Sequence, residues 1–92
     1  MTKFEWDPRK AQVNLRKHRV SFEEAATVFL LDEFLSTSED PDHPDRERRF
    51  ITVGLSAKRR LLTICYAERG EFIRIISARP VTRHEREIYE EH

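Results

Sequence analysis

The fold is decided by residues 49–79, which read RFITVGLSAKRRLLTICYAERGEFIRIISAR. Residues 49–55 alternate in a period of two, which is typical of a β-strand. Residues 61–67 are apolar on both parities, which indicates a central strand covered on both faces. Residues 72–78 form a third predicted strand, and short turns join the three. Strands joined by short turns pair in antiparallel fashion, so this stretch predicts an antiparallel sheet.

Two helices are predicted before these strands. The first covers residues 8–18, with Asp7 as its N-cap and Pro8 at its first position. The second begins after Ser21, which forms a predicted capping box with Glu24. The helical spacing predicts the inner residues of the first helix as Ala11, Asn14, Leu15 and His18. The predicted apolar face of the second consists of Phe22, Ala25, Ala26, Phe29 and Leu30.

The remaining elements complete the predicted architecture. Residues 3–6 alternate as a short edge strand, and residues 34–38 give a weaker strand signal. A last helix begins at Thr82, where Glu85 supplies a second capping box. The resulting order, β-α-α-β-β-β-β-α, predicts an α+β fold in which the helices pack on one face of an antiparallel sheet. A length of 92 residues predicts a single domain over residues 1–92.

The formal net charge is zero, but the charges are segregated along the chain. Residues 8–20 hold five basic residues and no acid, and residues 48–60 repeat that composition. Residues 21–47 hold nine acids and one base. Two interpretations remain open: the blocks pair with one another across the surface, or folding gathers the basic blocks into one positive surface.

Several function classes are disfavoured. The lone Cys65 lies in an apolar run, where a buried, inert thiol is expected. Residues 1–8 carry three charged side chains, so we expect no signal peptide, and no apolar run is long enough for a membrane span. We therefore expect a cytoplasmic protein. The acid-rich residues 39–45 match no calcium loop, and phosphate-loop, dinucleotide and zinc signatures are absent from the sequence. We expect no metal ion and no cofactor.

Arginines on apolar strands are the most informative candidates. Arg74 lies in the middle of the last strand, where desolvating a guanidinium is costly unless it is paired or faces water. It either pairs with a carboxylate in a structural role or lies in a cleft that receives an anion such as phosphate. Arg49 lies past the core edge or belongs to the same anion site. Arg79 has the opposite parity to Arg74, but it lies at the strand end, where twist can redirect it.

Histidine supplies the candidate for proton transfer. His18 lies at the end of the first helix beside Lys17, and imidazole titrates near neutrality. The alternative is that His18 is a hydrogen-bonded core residue. His84, in the first turn of the last helix, is a weaker candidate that suggests a surface position. Ser77 is interpreted as a small packing residue.

The motifs together resemble the BrnT family of type II toxins. The resemblance rests on Phe4-Glu5-Trp6-Asp7-Pro8-x-Lys10, then Asn14-Leu15-x-Lys17-His18-x-Val20-x-Phe22-x-Glu24-Ala25, then Arg49-Phe50 with Val53-Gly54, then Arg74-x-Ile76-Ser77-Ala78-Arg79, and last Thr82 through Glu85-x-x-x-Tyr89-Glu90. These matches span nearly the whole chain in order. The sequence departs from the family pattern at Pro80-Val81.

The resemblance implies a RelE-like ribonuclease toxin fold with a curved antiparallel sheet. It implies RNA cleavage that inhibits translation, and a BrnA-like antitoxin with a ribbon-helix-helix domain in a hetero-oligomer that contacts operator DNA only through the antitoxin. We expect a metal-independent endoribonuclease in which the 2′-hydroxyl attacks the adjacent phosphate. The expected catalytic residues are His18, Lys17, Arg49, Arg74 and Arg79. The expected RNA-binding residues are Lys10, Lys58, Arg59 and Arg60.

Two other function classes remain as alternatives. A non-catalytic module would act by binding a protein partner, or as an inactive toxin relic that serves only as a co-repressor with its antitoxin. A DNA-binding regulator would need a helix rich in base-reading side chains, which the sequence lacks.

Overall fold

The computed structural model describes residues 2–40 and 48–91. Its elements follow the predicted order: β1 (Lys3–Glu5), α1 (Pro8–His18), α2 (Phe22–Leu31), β2 (Ser36–Glu39), β3 (Arg49–Leu55), β4 (Leu61–Arg69), β5 (Phe72–Pro80) and α3 (Arg83–Glu90). The predicted acidic loop lies mostly in residues 41–47, outside the described residues. No helix in the described ranges combines the length and apolar character that crossing a membrane requires.

The five strands form one sheet in the order β1-β5-β4-β3-β2. The pairs from β2 to β5 are antiparallel, as predicted. The edge strand β1 is parallel to β5, with Phe4 opposite Ile73, so the prediction of a purely antiparallel sheet is wrong. The pairing of β1 depends on a contact nearly 70 residues away along the chain, which the local pattern does not encode.

Helices α1 and α2 cover one face of the sheet and form the core with it. Phe22 and Val28 of α2 pack with Leu62, Ile64 and Ile75 of the central strands. At Gly54 the sheet approaches α2 so closely that a Cβ would collide with the Val28 side chain. Two inner positions were predicted wrongly: Leu15 is 48% exposed and Leu30 is 62% exposed.

Residues of alternate parity on β4 point to the opposite face, which we call the open face. Register places Thr63, Cys65 and Ala67 there, opposite in parity to the core residues Leu62 and Ile64. Helix α3 contacts this side, because its Glu85 carboxylate accepts a hydrogen bond from the Thr63 hydroxyl at 2.9 Å. The prediction that all helices pack on one face is therefore wrong for α3.

The predicted helix caps are present, with one difference. Asp7, Ser21 and Thr82 each accept a hydrogen bond from a backbone N–H of the following turn, and Thr82 with Glu85 forms the predicted capping box. The Glu24 side chain does not return to its cap. It is 4% exposed and accepts hydrogen bonds from Ser56 and Arg60. The hydrogen bond from Arg60 lowers the pKa of Glu24 despite the opposing effect of burial.

Candidate functional site

A β-bulge in β5 determines which side chains share the open face. Ile75 lies opposite Tyr66 and Ser77 lies opposite Cys65, so Ile76 is the extra residue. The bulge reverses the parity of the strand beyond it. Arg79 therefore projects to the same face as Arg74, although the two differ in sequence parity.

One row of residues crosses four strands on the open face. Glu5 on β1 is in register with Arg74 on β5, Arg74 with Ala67 on β4, and Ala67 with Arg49 on β3. Two strand spacings separate Arg74 from Arg49, which is about 10 Å between backbones. Ala67 is fully buried between them. Arg74 and Arg49 therefore lie on either side of Ala67 on the same face of the sheet, and the guanidinium group is a side chain suited to binding phosphate.

Arg74 makes one hydrogen bond within this row. Its Nη1 donates to Glu5 Oε2 at 3.1 Å, and the two side chains are 31% and 33% exposed. The contact uses one nitrogen of the guanidinium, which has five N–H donors in a planar fork. Arg74 therefore pairs with a carboxylate, as the structural interpretation predicts, and its side chain also borders solvent. The anion site stays a prediction.

Arg79 is held by α3. Its Nη1 and Nη2 donate to the two carboxylate oxygens of Glu85 at 2.8 and 2.9 Å. These hydrogen bonds lower the pKa of Glu85 to about 2 and raise the pKa of Arg79. Arg79 pairs with Thr63, four residues along β4 from Ala67, so it lies about 13 Å along the strand from the Arg49–Arg74 row.

The Glu85 carboxylate predicts a pH dependence of stability. Its pKa is about 2 in the folded chain against an ordinary value of 4.5, so its contribution is complete above pH 4.5 and is lost as the pH falls toward 2. We expect Glu85→Gln to lower the free energy of unfolding at pH 7 and to leave it nearly equal to wild type at pH 2. Urea unfolding between pH 2 and 7 measures this. A constant difference between the two proteins at all pH values would contradict it.

A basic groove runs between α1 and the free edge of β5. It has a volume of about 320 Å³, with Val13 and Ile76 as apolar walls. Lys10, Lys17 and His18 line it together with Arg9, Asn14 and Ser77. The structure thus brings three of the predicted residues together in one groove. Ser77 also lies on the open face opposite Cys65, so the groove adjoins the face that carries Arg74.

The groove exists because Asn14 holds α1 against β5. The Asn14 side chain is buried, and its Nδ2 donates to the Ala78 carbonyl at 2.7 Å and to the Val20 carbonyl at 2.9 Å. The Ala78 N–H donates to Asn14 Oδ1 at 3.1 Å. The amide therefore takes the place of a neighbouring strand where β1 has ended. This role explains why a polar residue lies on the inner side of α1.

The predicted RNA-binding residues Lys58, Arg59 and Arg60 lie at the far end of the sheet. Lys58 and Arg59 lie exposed in the β3–β4 turn, at the opposite end of β4 from Ala67. Arg60 is part of an ion pair with the buried Glu24, and it also donates to the Arg19 carbonyl at 2.9 Å. The structure therefore does not bring this group together with the Arg49–Arg74 row.

Two minor candidates are also placed. Cys65 lies on the open face, where burial raises the pKa of its thiol, consistent with an inert residue. His84 is exposed on α3. Within residues 2–40 and 48–91, no group of three or more histidine, cysteine or acidic side chains is arranged to hold a metal ion. Of the acidic and histidine side chains in residues 39–45, which match no calcium loop, Asp42, His43 and Asp45 lie outside the described residues.

Sequence reasoning missed two carboxylates of the site. The sequence predicts an edge strand at Glu5 and a helix cap at Glu85, and it assigns neither carboxylate an arginine partner. The pairing of Glu85 with Arg79 could have been found from the sequence, because the two residues are only six positions apart. Glu5 has no comparable local signal, because its partner Arg74 is 69 residues away along the chain.

Comparison with known proteins found a family model and a solved structure that match this chain. A family model described as ribonuclease toxin, BrnT, of type II toxin-antitoxin system matches residues 6–85. The crystal structure of the Brucella abortus ribonuclease toxin BrnT at 1.1 Å resolution matches with a TM-score of 0.65 and 21% identity, covering 90% of this chain and 100% of that one. That likeness shows the shared fold. Curated proteins show no match. Because the family model covers most of the sequence, this chain belongs to the BrnT family of ribonuclease toxins of type II toxin–antitoxin systems.

Proposed function

We propose that this chain is a metal-independent endoribonuclease whose cleavage of RNA inhibits translation. The observation that carries the proposal is the row on the open face, where Arg74 and Arg49 flank the small Ala67. The nucleophile is the 2′-hydroxyl already present in RNA, so positioning and charge stabilisation supply most of the catalysis. No step of such a reaction requires a metal ion.

The groups have distinct roles in this mechanism. Arg74 and Arg49 bind the scissile phosphate and stabilise the additional negative charge of its transition state. Arg79, farther along the face, binds a neighbouring phosphate after exchanging its contact with Glu85. His18, with Lys17 beside it, transfers protons from the groove along β5. Lys10 contacts the RNA backbone in that groove, and Lys58, Arg59 and Arg60 contact it at the far turn.

The partner of the toxin is proposed to be a BrnA-like antitoxin with a ribbon-helix-helix domain. An apolar surface at the end of α2, made of Leu30, Leu31 and Phe34, is more than 60% exposed at each residue. Surfaces of this kind are typically covered by a protein partner. The hetero-oligomer would contact operator DNA only through the antitoxin. The proposed location is the cytoplasm, and the proposed fold relationship is to RelE-like ribonucleases.

Cleavage of a defined single-stranded RNA by the purified chain in excess EDTA tests the activity. We expect fragments that end in a 2′,3′-cyclic phosphate and begin with a 5′-hydroxyl, identified by mass spectrometry, at a rate that added Mg²⁺ does not raise. A matched RNA with a 2′-deoxy substitution at each cleaved position serves as the control and is expected to stay intact. Cleavage that requires Mg²⁺, or that proceeds on the deoxy control, would overturn the mechanism.

A further inference from the structure

Glu5 lies on the open face, at a position to which the sequence pattern alone assigns no chemistry. It ends β1 in register with Arg74, at the head of the row that continues through Ala67 to Arg49. Its Oε2 accepts one hydrogen bond, from Arg74 Nη1 at 3.1 Å. Oε1 of Glu5 accepts no hydrogen bond from the described residues. The side chain as a whole is 33% exposed, so part of it borders solvent.

The other carboxylates that contact candidate arginines are saturated. Glu85 accepts hydrogen bonds from Arg79 on both oxygens, and its Oε1 also accepts from Thr63 and from the Thr82 N–H. Glu24 is buried and accepts from Arg60 and Ser56. A carboxylate that is already fully hydrogen-bonded is a poor proton acceptor, because each of those bonds favours its charged form. Glu5 alone among these three keeps one oxygen available.

The shape of the guanidinium would bring Glu5 next to any phosphate that Arg74 binds. Arg74 uses Nη1 for Glu5, which leaves Nη2 and Nε to donate to phosphate oxygens. One planar fork thus binds the carboxylate on one side and the phosphate on the other, which holds the two acceptors within about one residue's width of each other. The 2′-hydroxyl of the nucleotide attached to that phosphate then lies near Glu5.

We propose that Glu5 is the general base of the reaction. This inference rests on the proposed function and deepens it by separating the base from the acid. Glu5 Oε1 takes the proton of the 2′-hydroxyl while the O2′–P bond forms and the P–O5′ bond breaks. The leaving O5′ takes a proton from His18 in its imidazolium form. The groove that holds His18 borders the same edge of β5, at Ile76 and Ser77, two to three residues from Arg74.

The charges around Glu5 come from several elements. Arg74 faces it from β5, and Arg49 lies farther along the same row. Two residues down the face, Lys3 forms an ion pair with Glu71, and Arg69 pairs with Phe72 in that row. Arg9 and Lys10 follow in the first turn of α1. Arg74 is the cation that contacts Glu5 directly, through the hydrogen bond from its Nη1 to Glu5 Oε2.

Glu5→Gln tests the proposal, because the amide oxygen can still accept from Arg74 but cannot serve as a base. We expect kcat/KM for RNA in EDTA to fall by about 10²- to 10³-fold at pH 7. We also expect the rise of kcat/KM with pH on the acid side of the profile to disappear. Glu71→Gln is the matched control, since it removes the neighbouring carboxylate of the β1–β5 pair, and it is expected to retain wild-type rates. Circular dichroism melts establish that both variants are folded.

The outcomes separate this inference from the proposed function. Wild type that does not cleave RNA in EDTA overturns the proposed function and the base with it. Wild type that cleaves, together with a Glu5→Gln variant within threefold of its rate, overturns only the role of Glu5. A slower variant that keeps the wild-type pH profile shows that Glu5 positions Arg74 and is not the base.

Discussion

Arg74→Ala is expected to lower the rate of RNA cleavage by about 10³-fold while the protein stays folded. Removing a preorganised donor from a developing negative charge typically costs about 10²- to 10³-fold, and an arginine that contacts the phosphate reaches the upper end. The structural cost is small, because the Arg74–Glu5 ion pair is about one-third exposed and such surface pairs contribute about 0–1 kcal/mol. Single-turnover cleavage of a labelled RNA, with a thermal melt of each protein, measures both effects.

Two further variants show whether the shape of the side chain or only its charge matters. Arg74→Lys keeps the positive charge but loses the planar fork, so we expect it to recover only a minor part of the activity. Arg83→Ala removes a guanidinium that is 93% exposed on α3 and is expected to cleave RNA at the wild-type rate. Wild-type cleavage by Arg74→Ala would move the phosphate site away from the open face. Full cleavage by His18→Ala beside an inactive Arg74→Ala would instead reassign proton transfer and leave the phosphate site in place.

The parts of the fold that depend on short-range pattern were predictable. The capping residues Asp7, Ser21 and Thr82 mark the starts of the three helices correctly. The three consecutive strands follow from alternation and short turns, and β4 is the central strand that its apolar composition predicts. These features are local, so one segment of sequence contains the information for each of them.

The parts that failed depend on pairing between distant segments. The sequence near residues 3–5 does not specify a parallel partner in β5. The sequence of residues 72–80 does not predict the bulge at Ile76. The bulge matters for the site, because a strict period of two places Arg74 and Arg79 on opposite faces. The arginines could be singled out from the sequence, because a guanidinium on an apolar strand is costly to desolvate. The sheet register was needed to show which arginines share a face and which carboxylate contacts each of them.

Asn14 illustrates how a long-range contact explains an anomaly in the sequence. A polar residue on the inner side of a helix suggests a defect or a functional group. In the structure its amide binds both the N–H and the carbonyl of Ala78, and it also binds the Val20 carbonyl. The Asn14 amide therefore makes the backbone hydrogen bonds that a neighbouring strand would otherwise make. It also fixes the groove that holds Lys17 and His18 at the edge of β5.

Asn14→Ala is expected to lower the free energy of unfolding by about 3 kcal/mol, because three buried backbone groups lose a partner and each costs about 1–3 kcal/mol when unsatisfied. For a chain of this size that corresponds to a decrease in Tm on the order of 15 °C. Urea unfolding measures the loss, and amide hydrogen exchange is expected to show the Ala78 N–H losing protection ahead of the β4–β5 ladder. Gln12→Ala, an exposed substitution on the same helix, is the control and is expected to stay within 0.5 kcal/mol of wild type, as is usual for surface changes. A loss below 1 kcal/mol with the Ala78 amide still protected would mean that water or backbone movement replaces the amide, and that α1 is held by its apolar contacts alone.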